Sequence, residues 1–93
     1  WEAELHRIKG ELLIIQSRHA EAEASLLGAI EIARRQQARS WELRATLSLA
    51  RLWRDQGKAE QARPMLAEIY DWFTEGFDTP DLQTAKALLD ELD

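Results

Sequence analysis

Trp41-Glu42-Leu43-Arg44-Ala45-Thr46-Leu47-Ser48-Leu49-Ala50-Arg51-Leu52 restarts a pattern that the chain laid down forty residues earlier. Trp1-Glu2 answers Trp41-Glu42, Leu12 answers Leu52, and Gly10 is matched by the equally small Ala50. The register runs on without a gap: Gln16 recurs as Gln56, Ala22 as Ala62 and Leu26 as Leu66. A fixed period in this range marks a repeat array, in which each unit buries its apolar face only against its neighbours. Such a chain is expected to bind or scaffold rather than to catalyse.

Composition agrees. The 93 residues allow one small domain with a thin core. Ala, Leu, Glu, Arg and Gln dominate while Val, Cys and Asn are absent, which favours helix and makes a sheet improbable. The net charge of −5 is uneven: residues 1–57 sum to +1 and residues 58–93 to −6. That balance argues against nucleic acid as a partner. Without cysteine there is no disulfide, thiol nucleophile or cysteine-based zinc site, which fits a cytoplasmic protein. No apolar run approaches the ~20 residues of a membrane span. The start at Trp1 rather than Met is read as that of a fragment of a longer protein.

Periodicity predicts five helices. The first covers about 2–16, with Leu5, Ile8, Leu12 and Ile15 at i, i+3, i+7 and i+10 as its packed stripe and Leu13 and Ile14 as a second one. The second covers about 20–37, with Ala22, Leu26, Ala29 and Ala33 in register. Ser40 is the expected N-cap of a third helix running to about Gln56, with Leu43, Leu47 and Ala50 on one stripe and Leu49, Leu52 and Trp53 beside it. Gly57 turns the chain into a fourth helix over about 59–75, carrying Ala62, Leu66, Ile69 and Phe73, with a slight bend expected at Pro64. Gly76 ends it. Thr79 as N-cap, Pro80 and Asp81 then start a fifth helix with Leu82, Ala85, Leu89 and Leu92 on one face.

Each forty-residue unit resembles a tetratricopeptide repeat. The residues that carry the likeness are Gly10, Ala22, Leu26 and Ala29 in the first unit, and Ala50, Trp53, Gly57, Ala62 and Leu66 in the second. Small residues let helices cross closely and a large one fills the groove between them. The period exceeds the ~34 residues of that family, and the extra residues are expected in the second helix and its exit turn. The implied fold is all-α, a right-handed stack of two antiparallel helix pairs (about 2–38 and 41–76) closed by a capping helix (about 79–93). A narrower resemblance lies in Arg39-Ser40-Trp41-Glu42-Leu43-Arg44-Ala45, Leu49 to Gly57, Tyr70 to Leu82 and Ala85 to Leu92. These runs look like the C-terminal repeat region of large bacterial signalling proteins that resemble adenylate/guanylate cyclases or AAA-type ATPase regulators. The resemblance implies a regulatory role for a parent protein and carries no catalytic residue over to this chain.

The residues support that reading. No Gly-Lys-Ser/Thr phosphate loop occurs, and Gly10, Gly28, Gly57 and Gly76 are dispersed. Glu2 with His6, and His19 with Glu23, are i, i+4 pairs that fall short of a ligand set. No catalytic, metal or cofactor residue is therefore assigned. In tetratricopeptide arrays the first helix of each pair lines a concave groove, which by the resemblance receives Glu4, Arg7 and Glu11 from the first unit. The second supplies Arg44, Leu47, Arg51 and Arg54, whose three arginines suit an acidic peptide. Trp72 and Phe77 are the expected exposed aromatic contacts. The expected partner is a protein or peptide, other domains of the parent included. Self-association into a homodimer is the alternative, through an exposed Leu13 and Ile14.

Overall fold

The computed structural model describes residues 2–73 and 80–92. Five helices follow one another: α1 (Glu2–Ile15), α2 (His19–Arg35), α3 (Arg39–Asp55), α4 (Ala59–Trp72) and α5 (Pro80–Leu92). Among the described residues all regular structure is α-helical. Gly76, Phe77 and Thr79 lie outside the described residues.

The connections repeat at half the expected period. Ser17, Gln37 and Gly57 all have positive φ, at 61°, 55° and 77°. At each, the residue after the left-handed one donates its N–H back to the helix: Arg18 to the Leu13 carbonyl at 2.8 Å, Ala38 to Ala33 at 2.8 Å, and Lys58 to Trp53 at 2.7 Å. The left-handed residue itself bonds Ile14, Arg34 or Arg54. This is the Schellman closure, written three times with Gln16, Gln36 and Gln56 leading into it.

The same residues, Arg18, Ala38 and Lys58, accept from the N–H groups of Ala22, Glu42 and Ala62 and so begin the next helix. One residue thus serves as the exit of one helix and the entry of the next. That is why the N-cap of α3 is Ala38, with no side-chain cap, and why Ser40, the expected cap, lies inside the helix. α1 to α4 have 14, 17, 17 and 14 residues, so the second helix is the longer one in the first unit, as expected, and the first helix is the longer one in the second.

Only glycine takes the left-handed conformation freely. Gly57→Ala is expected to lose about 1–2 kcal/mol. Gln37→Gly, which relieves the same strain, is expected to gain up to about 1 kcal/mol. Paired thermal melts check both; equal melting temperatures for the two variants would show that the left-handed positions carry no strain.

α3 is the hub. It packs on all four other helices. Its Ala45, Leu49 and Leu52 pack with Leu13, Ala22, Leu26, Ala29 and Ile30. Its Leu43, Leu47 and Ala50 pack with Ala62, Leu66, Ile69, Leu82, Ala85, Leu88 and Leu92. α5 buries Leu82, Ala85 and Leu92 as expected, and buries Leu88 while Leu89 is only partly buried. α1 and α2 lie close together at Gly10: a Cβ there would lie 2.7 Å from Leu26 Cγ.

α1 faces the other way from expectation. Ala3, Glu4, Gly10 and Leu13 are its buried residues. Leu5, Ile8, Leu12 and Ile15 are 42–78% exposed. Leu13 is buried and Ile14 half-buried, so the stripe expected to be free is the one inside. The physical reason is Gly10: close approach to α2 requires the glycine side of α1, and the large stripe is turned out.

Candidate protein-interaction face

α1, α3 and α5 lie side by side, with α3 contacting both neighbours. Charged side chains link them across one face. Arg44 of α3 donates from Nη1 to Glu4 Oε2 of α1 at 3.0 Å, and from Nη2 to Asp81 Oδ2 of α5 at 3.2 Å. Arg7 also donates to Glu4. Lower down, Arg54 Nη1 donates to Glu91 Oε2 at 2.7 Å, with Asp55 beside it at 3.2 Å.

The Arg44–Glu4 step spans 40 residues, and both the Arg44–Asp81 and Arg54–Glu91 steps span 37. Equal spacing at two levels makes α3 and α5 parallel.

Glu4, Arg7, Arg44 and Arg54 are thus brought together on this face. Glu11 is half-buried on α1, and Arg51 is exposed and forms no ion pair among the described residues. Leu47 does not belong to the face: it is 3% exposed and sits in the α3–α4–α5 core. Helix phase explains this, because Leu47 follows Leu43 by one turn on the stripe that α4 and α5 cover. Asp81 and Glu91 were not singled out from the sequence. Their only signal was an acidic residue at matching spacing on α5, which has no meaning until α5 is known to lie against α3.

Burial alone would push the Glu4 carboxyl up. Hydrogen bonds from Arg7 and Arg44, and their charges, outweigh it and hold Glu4 below its ordinary value of 4.5. The Arg44 guanidinium is held charged above its usual range, first by its hydrogen bond to Glu4. A depressed carboxylate stabilises the fold above its unfolded pKa, and that contribution is lost as pH falls through the folded value. Wild type is therefore expected to exceed Glu4→Gln in urea resistance at pH 7, and the gap to close on acidification below pH 4.5. Denaturation midpoints across that range check it, and a gap that widens in acid would contradict it.

These arginines are satisfied but not locked. The Arg44–Asp81 and Arg54–Glu91 pairs are partly open to solvent, and pairs of that kind contribute only about 0–1 kcal/mol each. An open cleft of about 430 Å³ adjoins Arg44 and Asp81, walled by Ser40, Leu43, Phe73, Pro80 and Leu82.

Trp72 is 53% exposed. It stands edge-on to Phe73, ring centroids 5.0 Å apart, and Arg39 lies 5.0 Å over its ring. Phe77, expected beside it, is outside the described residues. Arg39 also pairs with the buried Glu42, which Arg34 meets from α2 at 2.9 Å. Arg39 therefore connects the α2–α3 turn to the exposed indole. Among the described residues no helix is long and apolar enough to cross a membrane, and no group of three or more His, Asp or Glu side chains gathers as a metal site.

No protein-family model matches the chain, and no curated protein or solved structure matches it.

Proposed function

We propose that this chain is a non-catalytic, tetratricopeptide-like interaction module, a right-handed stack of helix pairs that presents the α1–α3–α5 face to a protein or peptide partner. The observation that carries the reading is the alignment of Glu4, Arg44 and Asp81 across three helices, repeated below by Arg54 and Glu91. A face built from exchangeable arginine–carboxylate pairs, with the exposed Arg51 among them, suits an acidic segment. The sequence likeness to the repeat region of bacterial cyclase- or ATPase-linked regulators supports a cytoplasmic signalling setting, in which the module relays contact to other domains of its parent.

Titrating the labelled protein with an Asp/Glu-rich decapeptide, followed by amide chemical shifts, tests the face. Perturbations are expected around Arg44, Arg51, Arg54 and the facing side of α5. They are expected to weaken at high salt and to fall at least tenfold in affinity in Arg51→Glu. Shifts scattered over α2 and α4, or indifference to Arg51→Glu, would defeat the reading. So would hydrolysis of ATP or synthesis of a cyclic nucleotide by the chain itself.

A further inference from the structure

Three residues separate α1 from α2, α2 from α3 and α3 from α4, but seven separate α4 from α5. Each short connection is a Schellman closure that sets one helix against the last. Among the described residues, α5 is held by its side chains. Leu82, Ala85, Leu88 and Leu92 enter the cluster that α3 and α4 build around Leu43, Leu47 and Ile69. Asp81 and Glu91 meet Arg44 and Arg54 of α3. The two acids stand ten residues apart, and so do the two arginines.

α5 thereby displays the chemistry that the α3–α4 surface accepts. It is an amphipathic helix parallel to α3, with apolar residues at i, i+3, i+6 and i+10 and carboxylates at i−1 and i+9. This is the helix-in-groove mode of recognition, with a charge pair at each end of the groove. A second helix of the same pattern returns every contact that α5 gives up, so exchange leaves neither apolar surface bare nor an arginine unpaired. Glu4 stays on Arg44 throughout and keeps that guanidinium in position. The cluster of Leu13, Leu26, Ala45 and Leu52 is built from α1, α2 and α3 and stays whole when α5 leaves. What opposes exchange is the covalent connection, which keeps α5 at a high effective concentration beside its own groove.

We infer that the partner of this chain is an acidic amphipathic helix that takes the place of α5 on α3 and α4, with α5 as its built-in competitor. The inference rests on the reading of the chain as an interaction module and narrows its acidic partner to a helix carrying that apolar stripe.

A labelled synthetic peptide of residues 80–92, titrated into the full chain, tests it. Leu88→Glu in the chain loosens its own α5 and is expected to bind the peptide at least tenfold more tightly than wild type. The same substitution in the peptide is expected to abolish binding. Arg54→Glu gives a second arm that leaves the core untouched. This variant is expected to prefer a peptide with Glu91→Arg over the unaltered one at least tenfold, the reverse of the wild-type order. Amides of α5 in the chain are expected to lose their helical shifts as peptide binds. Peptide bound with α5 still in place, no gain in Leu88→Glu, or an unreversed preference in Arg54→Glu overturns the inference. So does exchange of α5 between wild-type chains, which would make a second copy the occupant. The Asp/Glu-rich decapeptide and Arg51→Glu read the charged face separately, so failure here leaves that result standing.

Discussion

Leu26→Ala is expected to be among the most damaging single changes, losing about 2–5 kcal/mol. Domains of this size have only about 5–15 kcal/mol in all. Leu26 is fully buried in the α2–α3 cluster and presses directly on Gly10. That contact gives the prediction a second arm. Gly10→Ala adds a favourable helix former worth about 1 kcal/mol, yet its new carbon would meet Leu26 Cγ at 2.7 Å and Cδ2 at 2.8 Å. Leu26 cannot swing aside in a filled core, so a net loss of about 1–2 kcal/mol is expected. In the double variant the clashing atoms are gone and the alanine at position 10 occupies part of the void. Its loss is expected to be smaller than the two single losses combined by about 1 kcal/mol or more. Urea titrations of the four proteins measure this, and strict additivity would show that Gly10 and Leu26 do not share one packing constraint.

Pro64→Ala is expected to do the opposite and stabilise the protein by about 2 kcal/mol. Pro64 lies inside α4 on its exposed side. It removes an N–H from the helix ladder and crowds the carbonyl one turn back, a cost of about 3 kcal/mol relative to alanine. Part of the gain is returned, because proline also restricts the unfolded chain by about 0.4–1 kcal/mol. No core contact is given up, since the ring faces solvent. A rise in melting temperature of roughly 10 °C follows for a domain of this length. An unchanged or lower melting temperature would mean that the ring contributes packing or that α4 bends there without strain.

The face residues divide by how local their placement is. Glu4 and Arg7 are one turn apart on α1, so their pairing follows from helix geometry alone. Arg44, Arg51 and Arg54 share α3 and were legible as a basic group. What α3 presents them to was not legible. Asp81 and Glu91 answer Arg44 and Arg54 only because α5 runs parallel to α3 with an offset of 37 rather than 40 residues. Leu47 was misplaced for a related reason: the family pattern assigned it by helix, and the side of the helix was decided by α4 and α5.

By itself the sequence determined the five helices, their order and the core stripes of α2, α3 and α4. Those follow from spacing within one helix: Ala22, Leu26 and Ala29 share a side wherever the helix is put, and a turn forms where the chain can enter the left-handed region. The twenty-residue recurrence of that turn became visible only through the positive φ of Ser17 and Gln37, since neither side chain announces it as Gly57 does. Tertiary structure alone decided which side of α1 goes inside. α1 is apolar on two sides, and hydrophobic spacing does not rank Leu5, Ile8, Leu12 and Ile15 against Leu13 and Ile14. The choice depends on how closely a neighbour can approach, and the missing side chain of Gly10 brings Leu26 nearer than any larger residue would allow.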